Sequence, residues 1–352
     1  MTELPLRALG RLRQLARGGT ATVFLAPELR IPGLPGERFV YKRYTDATKR
    51  RAGPSLTTGL AGFVRFRERL PEPQREAWDA RIIWPVCVVV DEAGAADGVV
   101  MRLIPDRYFQ DFRKRAGGVH RKPREIETLF GDDETALRKG LPPVGVTDRL
   151  RLVRAVAAAY GMMHKQGVVV GDISGRNIIY DPDPARPSVL VVDVDSARVK
   201  GSRAVFGMQP HTPNWQPPEA LAASAELTGL TDPDEDTRDR LRDRWAIQST
   251  RTDVYKFALM TVRILANGRG GAVSREPSGA RRVLRDRLGE PAAALLDASL
   301  SPEPRDRPAM RDWYELLQPR HRAQPQAAAR QVSGGWVWVD GQGWVRGSQA
   351  CP

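Results

Sequence analysis

Over the first hundred residues, apolar and polar positions alternate in short runs. Arg13 to Ala16, Ala21 to Leu25, Arg38 to Tyr44, Val86 to Asp91 and Gly98 to Leu103 each read as a strand, with Pro/Gly turns between them. One helical pattern interrupts the series: Leu60, Phe63, Val64, Phe66 and Leu70 form an apolar stripe that ends before Pro71. From Thr147 onward helical spacing dominates. Asp148 opens a helix whose Leu150, Leu152, Val153, Val156, Ala157, Tyr160 and Met163 fall mostly on one face, and the pattern stops before Gly167. Strands first and helices second predict an α+β chain with two lobes, a strand-rich N-lobe over 1–104 and a helical C-lobe over 105–319, with a cleft between them.

Three segments fit that plan less directly. Pro105 to Val146 is polar, with a basic cluster of Arg113, Lys114, Arg115, Arg121, Lys122 and Arg124, and it reads as an insertion. Ala222 to Gln248 is a charge-dense helix candidate and a second insertion. Residues 320–352 begin as a Gln/Ala-rich linker and end in a Trp-bearing segment, Trp336 to Trp344, whose alternation around Asp340 and Gly341 predicts a short hairpin.

Composition narrows the function classes. At 352 residues and 41% hydrophobic content the chain is long enough for substantial cores, so disorder is not the expectation. The formal net charge of +13 comes mainly from arginine, as in proteins of GC-rich genomes. No groove-reading motif accompanies it, so a nucleic-acid partner is not expected, while acidic partners are favoured over basic ones. The only cysteines, Cys87 and Cys351, support neither a disulfide framework nor a zinc site. No apolar run is long enough for a bilayer span and the N-terminus lacks a signal-type segment, which predicts a cytoplasmic protein without a membrane partner.

The chemistry concentrates in two stretches. In Val168 to Tyr180, Asp172 and Asn177 share a short loop between apolar strands; in Val189 to Ser196, Asp193 ends the next buried strand. Three oxygen-bearing side chains at strand ends suit a hydroxyl nucleophile and a hard Mg²⁺ ion: one carboxylate accepts a proton, and an amide and a second carboxylate hold the metal. Upstream, Leu15 to Phe24 places Gly18 and Gly19 in a turn where backbone amides can approach phosphate oxygens. Lys42 follows on a strand whose period of two sets it on the same face as Val40.

In this order the motifs resemble those of the eukaryotic-type protein kinases found in bacteria, over roughly residues 10 to 318. The resemblance implies a two-lobed kinase-like fold, ATP and Mg²⁺ as cofactors, and transfer of the γ-phosphate to Ser/Thr hydroxyls of a protein substrate. Ala16, Gly18 and Ala21 match the three glycine positions of the phosphate loop. Val23 and Val40 match the roof of the adenine pocket and Ile179 its floor. Lys42 matches the phosphate-pairing lysine, Met101 the gatekeeper, and Arg102, Leu103 and Ile104 the hinge. Asp172 matches the catalytic base, and Asn177 and Asp193 the metal ligands. A glutamate partner for Lys42 is implied, with Glu68 preferred over Glu76. His211 to Glu219 resembles the end of the activation segment, with Thr212 in the substrate-binding position, and Arg307 matches the arginine that pairs with Glu219.

Departures from the pattern define alternatives. Val170 and Gly171 replace the His-Arg pair before the catalytic Asp, and Ser174 replaces a lysine that would face the transferring phosphoryl group. A nucleotide-binding regulatory scaffold and an atypical small-molecule kinase therefore stand beside the protein-kinase expectation. Because Gly171 offers no arginine to a phosphate, activity is expected without phosphorylation of the activation segment. Arg176 stands where basophilic members carry glutamate, so acidic acceptor sequences are expected.

Overall fold

The computed structural model describes residues 2–114, 116–266 and 273–318, together with the backbone of Trp336–Val339 and Gly343–Arg346. Two compact units divide the chain, Met1–Leu316 and Leu317–Pro352.

The first unit is mixed α+β, with a strand-rich N-terminal part and a helical C-terminal part. Its N-terminal sheet comprises β1 (Glu3–Pro5), β2 (Arg13–Arg17), β3 (Ala21–Ala26), β4 (Phe39–Tyr44), β5 (Cys87–Val90) and β6 (Ala96–Arg102), in the order β1-β5-β6-β4-β3-β2. Only β1 and β5 run parallel; the remaining neighbours are antiparallel. Val88, Val99 and Val100 are fully buried, which accounts for the near-continuous apolar runs at the centre of this sheet.

Three helices connect β4 to β5: α1 (Asp46–Ala52), α2 (Leu56–Glu68) and α3 (Glu72–Asp79). The expected apolar stripe of α2 is buried at Leu60, Phe63 and Val64. Beneath it Phe63, Phe66, Trp78 and Trp84 form an aromatic cluster with ring centroids 4.9–5.5 Å apart. Arg67 closes the helical corner on Asp79, its Nε donating to Oδ1 at 2.8 Å.

After β6 the chain makes the hairpin β7 (Phe109–Arg113) and β8 (Val119–Pro123), then α4 (Asp133–Arg138) and α5 (Val146–Lys165). The polar 105–146 segment is thus an ordered hairpin and helix. Its basic side chains are partly occupied: Lys122 lies 4.6 Å from the Phe112 ring, and Arg121 sits 3.4 Å from Asp106. Short pairs β9 (Val168–Val169) with β12 (Arg198–Val199), and β10 (Ile178–Asp181) with β11 (Ser188–Val191), carry the loops of interest. Next come α6 (Pro218–Gly229), α7 (Glu235–Ala246), α8 (Thr250–Leu265), α9 (Ser278–Leu288), α10 (Glu290–Ser299) and α11 (Met310–Leu316).

The single charge-dense helix expected over 222–248 is instead the pair α6 and α7. Pro233 cannot donate within a continuing helix, and Asp234 starts α7 afresh by accepting from Thr237 N at 2.6 Å. α8 is buried on every side from Thr252 to Leu265, so the other helices pack around it. A Ser249–Thr252 capping box fixes its start.

In the second unit β13 (Trp336–Val339) and β14 (Gly343–Arg346) pair antiparallel, with Trp338 opposite Trp344. The expected turn residues Asp340 and Gly341 lie outside the described residues. No helix among the described residues is long and apolar enough to cross a membrane.

Candidate functional site

Lys42 sits on β4, paired on one side with Val23 of β3 and on the other with Val99 of β6. It therefore occupies the interior of the sheet, and its ammonium leaves the sheet toward the end of β11. There Nζ meets Asp193 Oδ1 and lies 2.6 Å from Asp195 Oδ2. Burial alone would lower the lysine's pKa; the charges of Asp195 and Asp193 outweigh it and hold Lys42 above its ordinary value. The glutamate expectation is corrected here. Glu68 is exposed in the last turn of α2, where its charge acts on Cys87, and Glu76 is exposed on α3. Acidic partners for Lys42 come from the loop after β11 instead.

That loop has a particular backbone. Asp193 adopts a left-handed conformation with φ 57°, one that Asp tolerates better than most residues, and a 3-10 turn over Val194–Ser196 follows. The reversal sends Asp193 and Asp195 to the same ammonium with unequal exposure, 55% for the Asp193 side chain and 7% for Asp195. The Tyr44 hydroxyl donates to Asp195 Oδ2 at 2.8 Å, while Asp195 Oδ1 is buried without a hydrogen-bond partner among the described residues.

The 170–177 loop is pinned from α8. Asp253 accepts from Val170 N at 2.8 Å, from Gly171 N at 2.9 Å and from His164 Nε2 at 2.9 Å. Lys256, one turn along α8, donates to the Gly171 carbonyl at 2.6 Å and to Gln248 Oε1 at 2.7 Å, and burial pulls its pKa down to about 8. Above these anchors Asn177 Nδ2 donates to the Asp172 carbonyl at 2.7 Å and to Asp172 Oδ2 at 3.3 Å. Thr212 Oγ1 donates to Asp172 Oδ1 at 2.5 Å. Asp172 thus holds a hydroxyl on one oxygen and is steadied by Asn177 on the other.

The residues that could hold a cation here are Asn177 and Asp193. The Asn177 amide nitrogen is occupied by Asp172, which leaves its carbonyl oxygen for a ligand; Asp193 contributes an exposed carboxylate, and both are hard oxygen donors. No group of three or more His, Cys, Asp or Glu side chains able to hold a metal ion occurs among the described residues, so such a site rests on the amide. In the turn before β3, Gly18 N donates to the Ala21 carbonyl at 2.8 Å, and a Cβ on Gly19 would meet nothing within 4 Å. The backbone there is open to an approaching anion. Ala16 pairs with Val23 on the adjoining strands.

The expected adenine-side residues divide. Val40 pairs with Met101, and Ile179 is buried on β10, so the apolar positions are in place on the two sheets. Arg102 turns its guanidinium onto the Asp79 carbonyl and to Glu37 at 3.3 Å. In the expected hinge, Leu103 N donates to the Arg38 carbonyl at 2.7 Å. Two cavities of about 990 and 670 Å³ lie elsewhere, the first among α3, α5, α8 and α11 and the second beside 181–189. Neither is lined by Lys42, Asp172 or Asp193. The convergence of charged groups marks the site better than concavity does.

The 194–219 segment is held down by buried polar contacts that the sequence did not signal. Gln209 Nε2 donates to the carbonyls of Val169 at 3.1 Å and Ser196 at 3.0 Å, and Gln248 Nε2 donates to the Gln209 carbonyl at 2.9 Å. His211 Nε2 donates to the Trp245 carbonyl at 2.8 Å, and burial lowers its pKa to about 4. At the far end Arg307 embraces Glu219 at 2.9 and 2.6 Å. Lys256, a cation inside an otherwise apolar run from Val254 to Met260, was the one available clue to this network. No protein-family model matches the chain, and no curated protein matches it.

Proposed function

We propose that the chain is a protein kinase of two-lobed, kinase-like architecture that transfers the γ-phosphate of Mg-ATP to Ser/Thr hydroxyls of a protein substrate. One observation carries this reading: Asp172 accepts a hydrogen bond from the Thr212 hydroxyl while Asn177 braces it. That is the arrangement a general base needs to receive a proton from an acceptor alcohol. Thr212 sits where such an alcohol would approach, and its own hydroxyl stands in for it.

Bound Mg-ATP supplies the phosphoryl group and the cation that offsets its charge. Asn177 and Asp193 would hold that cation, and Lys42 would bind phosphate oxygens. The open turn at Gly18 and Gly19 would lie over the phosphates, with Val23, Val40, Met101 and Ile179 around the base. Asp172 orients the acceptor hydroxyl and takes its proton. Ser174 brings no positive charge to the transferring group, so turnover slower than that of lysine-bearing kinases belongs to this reading. Exposed Arg176, 3.0 Å from Glu127, favours acidic acceptor sequences. A cytoplasmic setting belongs to this reading.

A second reading, a nucleotide-binding regulatory scaffold, draws on Lys42 being held by two carboxylates at once. Incubation of the purified protein with radiolabelled ATP and Mg²⁺, alone and with acidic and basic protein acceptors, separates the two. Label on protein hydroxyls supports the kinase, binding without transfer supports the scaffold, and label on small molecules alone points to a small-molecule kinase.

A further inference from the structure

In protein kinases the ion pair between the phosphate-binding lysine and a helix glutamate must be in place for activity, and positioning of that helix controls it. Lys42 is built differently. Its buried partner, Asp195, stands two residues after Asp193 in the same turn, at 2.6 Å, and is fixed by the Tyr44 hydroxyl at 2.8 Å. Tyr44 lies two positions after Lys42 on β4, hence on the same face of that strand. The three side chains therefore form a unit of sheet and loop in which neither α2 nor α3 takes part.

Asp193 and Asp195 are not equivalent in this unit. Asp193 is 55% exposed and, among the described residues, is joined to the site through Lys42. The Asp195 side chain is 7% exposed, bears two donors on Oδ2 and keeps an Oδ1 without a partner among the described residues. When a cation and phosphates arrive, Asp193 is the carboxylate free to turn outward, whereas Asp195 is enclosed.

We propose that Asp195 is the positioning residue for Lys42: it keeps the ammonium directed at the phosphates while Asp193 leaves Lys42 for the metal, so the lysine is set by the metal-binding loop itself and not by a movable helix. This rests on the kinase reading of Lys42 and Asp193. An equivalent of helix-driven switching is then absent, because α2 can shift without breaking the pair.

The test uses full-length protein and the variants Asp195→Asn, Asp193→Asn and Tyr44→Phe. In Asp195→Asn the KM for ATP rises about tenfold, from loss of one buried charge-assisted contact, while the Mg²⁺ concentration for half-maximal rate stays put. Asp193→Asn moves that Mg²⁺ requirement upward by at least about tenfold. Tyr44→Phe, which removes only the hydroxyl, gives the Asp195→Asn phenotype in weaker form and guards against a variant that fails to fold. A nucleotide-free readout accompanies these. An amine-acylating reagent should label Lys42 several-fold faster in Asp195→Asn than in the parent protein, by peptide mass spectrometry, because an amine no longer held against the enclosed carboxylate is reached more readily.

A Mg²⁺ requirement that shifts in Asp195→Asn as it does in Asp193→Asn would make Asp195 a metal ligand and overturn the proposal. So would a loss confined to kcat, or an unchanged labelling rate. A parent protein that neither binds nor uses ATP would remove the kinase reading, and the labelling comparison would still decide whether Asp195 anchors Lys42.

Discussion

Gln209 occupies the space into which a side chain on Gly171 would project: a Cβ built on Gly171 would stand 2.3 Å from Gln209 Nε2. Gly171 also has φ +77°, a conformation that disfavours any side chain. The amide of Gln209 and the missing side chain of Gly171 thus define each other, and together they join the 194–219 segment to the loop carrying Asp172.

Gly171→Ala is accordingly expected to lower stability by roughly 2–4 kcal/mol, the sum of left-handed strain and overpacking. Gln209→Ala alone should cost about 1–3 kcal/mol through the Val169 and Ser196 carbonyls it leaves buried. In the double variant the clash is gone but the strain remains, so the two losses should sum to more than the loss measured. Urea unfolding of the four proteins gives this coupling directly; additive losses would count against the contact.

The same junction bears on control. Kinases switched by activation-segment phosphorylation pair the new phosphate with arginines. Here Gln209, Gln248 and Lys256 already hold the segment through neutral amides and a buried ammonium. Ser196, Ser202 and Thr212 are the only hydroxyl residues between Asp193 and Glu219. Phosphatase-treated protein, confirmed bare by mass spectrometry, should transfer phosphate at its full initial rate. A lag that shortens as Ser196 or Ser202 becomes phosphorylated would contradict this.

His211 makes the segment sensitive to acid. Its Nε2–H donates to Trp245 and its Nδ1 is buried without a partner among the described residues, so the neutral form is the one that fits. With a folded pKa near 4 against 6.5 for the free side chain, the unfolded chain binds the additional proton between those values. Stability from this group is complete above about pH 6.5 and is lost as pH falls toward 4, by up to roughly 3 kcal/mol. His211→Gln keeps a donor for Trp245 but cannot titrate. Its melting temperature should fall less than that of the parent protein between pH 6.5 and 4.5.

Asp172→Asn tests the assigned chemistry. Removing the proton acceptor should cut turnover by roughly two to four orders of magnitude while ATP affinity by calorimetry stays near its original value. Asn also keeps the hydrogen bond with Thr212 possible, so the loss reports chemistry and not collapse of the loop. Equal loss of binding and turnover would take the base role away from Asp172.

Arg307 offers a purely structural check. Its guanidinium is buried, grips Glu219 with two bonds and donates to the Ser301 carbonyl at 2.9 Å. Arg307→Ala strands Glu219 and should cost about 3–5 kcal/mol. Arg307→Lys should recover only part of this, since an ammonium cannot reproduce the paired geometry. Denaturant midpoints of the three proteins decide it.

Much of this arrangement was legible in the chain because it is local. Alternation placed β3, β4 and β6, and the spacing of Asp172, Asn177 and Asp193 relative to apolar runs singled out the loops that the fold brings together with Lys42. What escaped was set by long-range pairing or by single backbone angles. Three residues, one of them Pro5, give β1 no period to read. α1 and α3 are too rich in charge to display an apolar stripe. Nothing in the spacing sets Asp195 above Glu68 as a partner for Lys42, because the left-handed turn at Asp193 is what brings both loop acids to one ammonium. Gln209 and Gln248 resemble loop polar residues until their carbonyl partners, far away in sequence, are known.

The parallel pairing of β1 with β5 has a consequence for synthesis. Glu3 lies opposite Val88, and β1 has no other strand neighbour among the described residues. β1 thus leaves the ribosome well before β5, and at roughly 5–20 residues per second it waits several seconds for that partner. Meanwhile β2, β3 and β4, joined by short connections, can pair with one another. The sheet would then assemble from that end, with β1 closing over β5 only after Val90 has emerged.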